Sequence, residues 1–161
     1  MYKKGDYVVY GHYICTIKDI RKNKLNGITY YVMNPIDDDS LIIDIPIEDR
    51  MGHLRDVISS DNAKKLIERI PNINPIEDIN EKNLEIKYKE LLATGKYDDL
   101  IKIIKTTFLR NESRTNNKKK ISEKDNNYFK IAEKYLYNEL SISLNMSVED
   151  VKDYIFRVVN K

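Results

Sequence analysis

Hydrophobic and polar positions change their period once along this chain. Up to about residue 58, apolar residues come in short β-branched and aromatic runs separated by turn residues. From about residue 60 they recur at helical spacing. The first run is KGDYVVYG, residues 4–11. Gly5-Asp6 permits a tight turn, and Tyr7, Val8, Val9 and Tyr10 suit a pleated, half-buried surface. Gly11-His12 reverses or bulges the chain. Residues 13–20 (YICTIKDI) predict a second strand, although no single alternation assigns its two faces. Residues 23–27 predict a hairpin turn, with Asn26-Gly27 its strongest element, and residues 28–33 return as a third strand. Asn34-Pro35 stops that strand, since proline has no donor for a ladder. Asp37, Asp38 and Asp39 make the next turn, and residues 41–45 form a fourth strand closed by Pro46. Four or five short strands in about 55 residues predict a small barrel or strongly bent sheet.

Beyond residue 60 the pattern is helical. Ser60-Asp61 caps a helix running to Ile70, with Ala63, Leu66, Ile67 and Ile70 on one face. Residues 71–75 (PNINP) are a linker. Residues 80–93 predict a second helix, with Leu84, Tyr88, Leu91 and Leu92 in phase and Gly95 as its C-cap. Residues 97–110 predict a third, and the polar, basic residues 111–120 a loop. Ser122 with Asp125 opens a helix to about Leu140, and Ser147 with Asp150 opens the last, to about Val159. The fold class expected is α+β with two domains, a small β-barrel over 1–58 and an all-α bundle of four or five helices over 59–161 (59–75 being helix and linker).

Composition narrows the function more by exclusion than by indication. The one cysteine, Cys15, forms no internal disulfide and reads as a small buried hydrophobe. The stretch MYKKGDYVVY lacks the apolar core of a signal peptide, and no run approaches a membrane span, so a cytoplasmic protein without a membrane partner is expected. His12 and His53 are the only histidines, and no zinc spacing accompanies them. There is no P-loop, dinucleotide fingerprint or nucleophile elbow. The expectation is a protein that is not an enzyme, without metal, cofactor or small-molecule substrate.

Charge is unevenly spread. Residues 1–58 hold 8 Lys/Arg against 9 Asp/Glu, whereas residues 102–134 hold 10 against 4. Lys102, Lys105, Arg110, Arg114, Lys118, Lys119, Lys120, Lys124, Lys130 and Lys134 fall on two helices and the connection between them. If those helices are antiparallel neighbours, the charges converge into a patch suited to phosphate contacts without base reading. Leu84, after Asn83 and close to Lys87 and Lys89, has two readings: an apolar wedge against a base step, or a bundle core residue, which its periodicity favours.

Taken in order, these stretches resemble the CarD/CdnL family of bacterial transcription regulators over almost the full length. The residues that carry the resemblance are 5–12 (GDYVVYGH), Gly27 with 30–32, 41–46 (LIIDIP) and 54–57 (LRDV) in the first half. In the second half they are Tyr88-Lys89 with Leu91, and Ile121-Ser122 through Ala132, Leu136, Glu139 and Leu140. The resemblance implies an N-terminal Tudor-like barrel that binds the β subunit of RNA polymerase. It also implies a helical domain that contacts promoter DNA just upstream of the transcription bubble and shifts open-complex formation and stability. Docking by pairing of a barrel edge strand would be β-augmentation.

Carried over residue by residue, the resemblance places polymerase contacts at Lys22, Asn23, Lys24, Ile42, Asp44 and Arg55. The basic block and the resemblance together place DNA contacts at Leu84, Lys87, Lys89, Arg110, Arg114, Lys118, Lys119, Lys120, Lys124, Asn126 and Lys130. Asn23 and Asp44 stand where the family has basic residues on its second and fourth strands. Lys22 and Lys24 flank the first of these positions. Leu84 stands where the family usually has a tryptophan wedge, and Asn126 near a DNA-contacting lysine. Residues 116–120 read as a basic insertion. The expected location is cytoplasmic, at the nucleoid through polymerase. Two other readings remain open: an RNA-binding or ribosome-associated factor, and a protein-interaction adaptor that binds no DNA.

Overall fold

The computed structural model describes residues 1–77 and 80–160, and these form an α+β protein. Asp78, Ile79 and Lys161, all within the 59–161 reading, lie outside the described residues. The chain divides into two compact units, Met1–Ile58 and Ser59–Lys161.

The first unit is an antiparallel sheet of five strands: β1 (Tyr7–Tyr10), β2 (Tyr13–Lys22), β3 (Thr29–Pro35), β4 (Ile43–Pro46) and β5 (Leu54–Asp56). Their order is β4-β3-β2-β1-β5, so β4 and β5 remain as edges. The sheet is therefore a curled half-barrel, the strongly bent sheet of the two forms expected and not a fully closed barrel. The β2–β3 turn forms as the local signals predict. Asn23 Oδ1 accepts from the Leu25 amide, Asn26 Oδ1 accepts from the Ile28 amide, and Gly27 takes φ +73°. Pro35 does not stop β3 early. It is the strand's last residue, opposite Cys15, where its missing donor is tolerated.

The ambiguous faces of β2 have a physical cause. The β2–β3 register shifts between Ile17 and Asp19, a bulge that inserts Lys18. Before the bulge, Cys15 and Ile17 face the core. After it, Asp19 and Arg21 pair with Val32 and Tyr30 on the outer face. The core gathers Val8, Cys15, Ile17, Tyr31, Met33 and Ile45, with Tyr10, Ile43, Ile47 and Leu54 packed against it. Tyr7, by contrast, is exposed. Tyr2 ties the N-terminal segment down: its hydroxyl donates to Asp56 Oδ1 at 2.8 Å, and its ring meets Tyr31 edge-on. Burial and the Asp56 hydrogen bond push the Tyr2 phenol up to about 12.

The second unit contains α1 (Ser60–Arg69), a 3-10 turn (Ile70–Asn72), α2 (Glu81–Thr94), α3 (Tyr97–Asn116), α4 (Glu123–Leu144) and α5 (Val148–Val159). Ser59, not Ser60, caps α1, since its backbone is extended and its hydroxyl accepts from the Asn62 amide. Asn80, Ser122 and Ser147 cap α2, α4 and α5 in the same way. Gly95 ends α2 in the left-handed conformation at φ +64°. Lys105 Nζ donates to the carbonyls of Ile70 and Ile73, which satisfies backbone acceptors beyond α1.

One boundary differs from the reading of residues 111–120 as a loop. Helix α3 continues through Asn116, and the connection to α4 is only residues 117–122. Residues 111–116 carry no apolar stripe, yet tertiary bonding holds them. Asn111 Oδ1 accepts from the Ser122 amide at 2.8 Å, and its Nδ2 donates to the Ser122 carbonyl. The helix stops as Lys118 turns to φ +57° and the Lys119 amide bonds back to the Arg114 carbonyl. The buried interior comprises Leu66 and Ile67 of α1, Leu84, Tyr88 and Leu91 of α2, Leu100, Ile101 and Ile103 of α3, Ala132, Leu136 and Leu140 of α4, and Val151 of α5. Within the described residues, no helix is long and apolar enough to cross a membrane.

Candidate functional site

In the β unit, the outer face of β2, β3 and β4 forms a shallow groove of about 720 Å³. Lys22, Asn23, Ile42 and Asp44 all line it, so four of the six sequence-predicted docking residues come together. Ile42 is 65% exposed, a large apolar side chain beside the β4 edge. Lys24 is exposed on the β2–β3 turn outside the groove. Arg55 is not brought to it: it sits on β5, at the other edge of the sheet, where its guanidinium donates to the Asp56 carbonyl.

The groove also contains residues that the sequence did not single out: Lys4, Lys18, Asp19 and Arg21. The bulge accounts for the last three, because it displaces Lys18 and turns Asp19 and Arg21 to the outer face. Asp44 lies opposite Val32, which in turn lies opposite Asp19. Arg21 Nε donates to Asp19 Oδ2 at 2.7 Å, and that bond, with one from the Ile20 amide, holds the Asp19 carboxyl below its usual range. Four basic side chains, Lys4, Lys18, Arg21 and Lys22, thus line the same groove as Asn23 and Asp44. Asp38, one of the three turn aspartates, accepts from the Ser40 amide and hydroxyl, as turn chemistry requires.

In the helical unit, the basic block is less free than its sum of charges suggests. Arg110 Nε donates to Asp125 Oδ2 at 2.8 Å, and its Nη2 bonds Glu81. Asp125 is 1% exposed and also accepts from the Tyr88 hydroxyl at 3.0 Å. Burial lowers the Arg110 pKa, but the hydrogen bonds to Asp125 and Glu81 outweigh it and raise the group above its usual value. Arg114 approaches Glu81 at 4.0 Å. Lys124 Nζ bonds Glu85 at 2.9 Å and is raised by it, and Tyr128 donates to the same carboxylate. The corresponding carboxylates are pulled down, Glu81 by the Arg110 hydrogen bond and Glu85 by Lys124.

Lys87 and Lys89 pair on the surface of α2 with Glu90 and Glu85 at 3.8 Å each, contacts that water readily exchanges. Leu84 is 4% exposed, inside the bundle. Its side chain therefore contributes core packing in this conformation and is not presented as a wedge. Among the described residues, Lys118, Lys119, Lys120 and Lys130 pair with no carboxylate, and all four are exposed. Asn126 lies on α4 beside Phe129 in a cleft against α3. The block therefore separates into an ion-paired scaffold at Arg110, Arg114 and Lys124 and an open cationic turn at residues 118–120. The signals for this separation are Glu81 and Glu85, which lie outside the window that looks basic. Compared with known proteins, the chain matches no family model and no curated protein sequence.

Proposed function

We propose that the protein is a transcription regulator that docks on the RNA polymerase β subunit through its β unit and holds upstream promoter DNA through its helical unit. It would shift the closed-to-open equilibrium by its differential affinity for the two states. The observation that carries this reading is the groove on β2, β3 and β4. There Lys22, Asn23, Ile42 and Asp44, the positions implied by the resemblance to the CarD/CdnL family, share one face with Lys4, Lys18 and Arg21. An exposed isoleucine ringed by charges is the composition of a small protein-docking patch, with the apolar contact supplying affinity and the rim supplying register. DNA contact, on this reading, is made to the backbone by Lys118, Lys119, Lys120 and Lys130.

A pull-down with the polymerase β-subunit lobe tests the docking role. The parent chain is retained, and Ile42→Glu, at an exposed position that leaves the fold intact, is not. Retention of Ile42→Glu at the parent level would refute the groove as the docking face. One observation favours a second reading, a protein-interaction adaptor without DNA binding: Arg110, Arg114 and Lys124 are already neutralised within the chain. Absence of any crosslink from the helical unit to DNA in the polymerase–promoter complex would select that reading.

A further inference from the structure

We propose that the cleft between the second half of α3 and the start of α4 receives one unstacked nucleobase, from a strand whose phosphates run over Lys118, Lys119 and Lys120. This rests on the nucleic-acid reading of the helical unit and specifies what that unit takes. The cleft measures about 300 Å³ and is walled by Phe108 and Phe129. That volume is at the small end of ligand pockets and suits a single planar ring system better than a folded segment of protein. Phe108 is 53% exposed, on a helix that buries Leu100, Ile101 and Ile103 completely or nearly so. An aromatic ring left open at a cleft mouth offers the π-face on which bases of any sequence stack.

The polar lining selects a base over the other candidates. The Asn111 amide is consumed by Ser122. Among the described residues, the side chains of Glu112, Asn116 and Asn126 make no hydrogen bond, and all three line the cleft. A carboxylate is an acceptor, and each amide both donates and accepts, so together they match the mixed edge of a nucleobase. A free phosphate would meet Glu112 with no cation in the lining. An apolar peptide would strip water from three polar groups without replacing their hydrogen bonds. The cations stand just outside: Lys118, Lys119 and Lys120 begin two residues after Asn116, and all three are exposed. A strand that seats a base in the cleft therefore carries its flanking phosphates past these lysines.

Fluorescence anisotropy on the full chain tests this. The probes are a single-stranded DNA of about twelve nucleotides, an RNA of the same sequence and a blunt duplex, which exposes no free base. A single strand is expected to bind more tightly than the duplex, and the tighter of DNA and RNA names the source of the base. Phe108→Leu keeps an apolar side chain but removes the π-face, and should lower the ratio of single-strand to duplex affinity about tenfold. Phe108→Tyr should restore the ratio. Asn126→Ala, a change that favours the helix, should weaken single-strand binding about fivefold.

A ratio unchanged in Phe108→Leu overturns the proposal, as does a Phe108→Leu variant that loses only binding to a protein partner. Failure of the polymerase pull-down with a Phe108-dependent single-strand affinity intact would defeat the regulator reading and leave the base cleft standing. The reverse pattern would defeat only the cleft.

Discussion

Replacing Arg110 with methionine should unfold the helical unit more readily while leaving its phosphate-binding lysines in place. Methionine fills much of the arginine stem's volume, so the change isolates the charge. In the folded protein, Arg110 is bonded to Asp125 at 2.8 Å and to Glu81, with side-chain accessibilities of 28% for Arg110 and 2% for Asp125. Without the guanidinium, Asp125 retains one side-chain donor, the Tyr88 hydroxyl. Stripping one partner from a buried pair costs about 3–5 kcal/mol. Arg110 is partly open to water, which then reaches some of the vacated space, so the low end, about 3 kcal/mol, is expected. That is a large share of the roughly 5–15 kcal/mol that holds a domain folded. The unit spans Ser59–Lys161. At about 4–8 °C per kcal/mol for a domain near this size, Tm should fall by more than about 10 °C.

Urea unfolding followed by far-UV circular dichroism measures the loss. Adding Asp125→Leu removes the stranded charge and should recover part of the stability. The coupling in the double-mutant cycle should be about 2 kcal/mol or more. Duplex DNA affinity should keep its salt dependence. A loss below about 1 kcal/mol, the range of exposed pairs, together with a reduced salt slope would refute the reasoning. It would make Arg110 a phosphate ligand after all.

Leu84→Ala should cost about 2–5 kcal/mol by leaving a cavity at a side chain that is 4% exposed, read as a shifted urea midpoint. A specific loss of open-complex lifetime at unchanged stability would restore the wedge. Glu81 and Glu85 are held below the ordinary carboxylate range, by Arg110 and Lys124 respectively, so their contribution to stability is present above the unfolded value of about 4.3 and is lost as pH falls through the lower folded values. The urea midpoint should therefore decline below about pH 5, and Lys124→Met should shrink that decline; an identical acid profile in the variant would exclude the pair as its source. Changing Lys118, Lys119 and Lys120 together to alanine should leave thermal stability unaltered and reduce the slope of log K against log salt by about 0.9 for each phosphate no longer neutralised, with an unchanged slope counting against the cationic turn.

What the sequence determined by itself is what short-range bonding decides. The 23–27 turn, the capping residues Ser122 and Ser147 and the αL glycine Gly95 were legible because each signal and its partner lie within a few residues. The change of period near residue 60 likewise marked where strands give way to helices, between Asp56 and Ser60. Only the tertiary structure decided three other matters. The bulge at Lys18 turned Asp19 and Arg21 into the groove, because register is set by the partner strand β3 and not by β2. Residues 111–116 became helix through Ser122, although their own pattern is polar. Within the basic block, Arg110 and Lys124 are taken up by Glu81 and Glu85, carboxylates that lie on another helix. A window of sequence counts only the charges it contains, whereas a guanidinium or an ammonium is neutralised by whatever the fold places within a few ångströms of it. Which lysines remain for a partner is therefore a property of the packed helices, and residues 118–120 are open because the turn carries them clear of every carboxylate among the described residues.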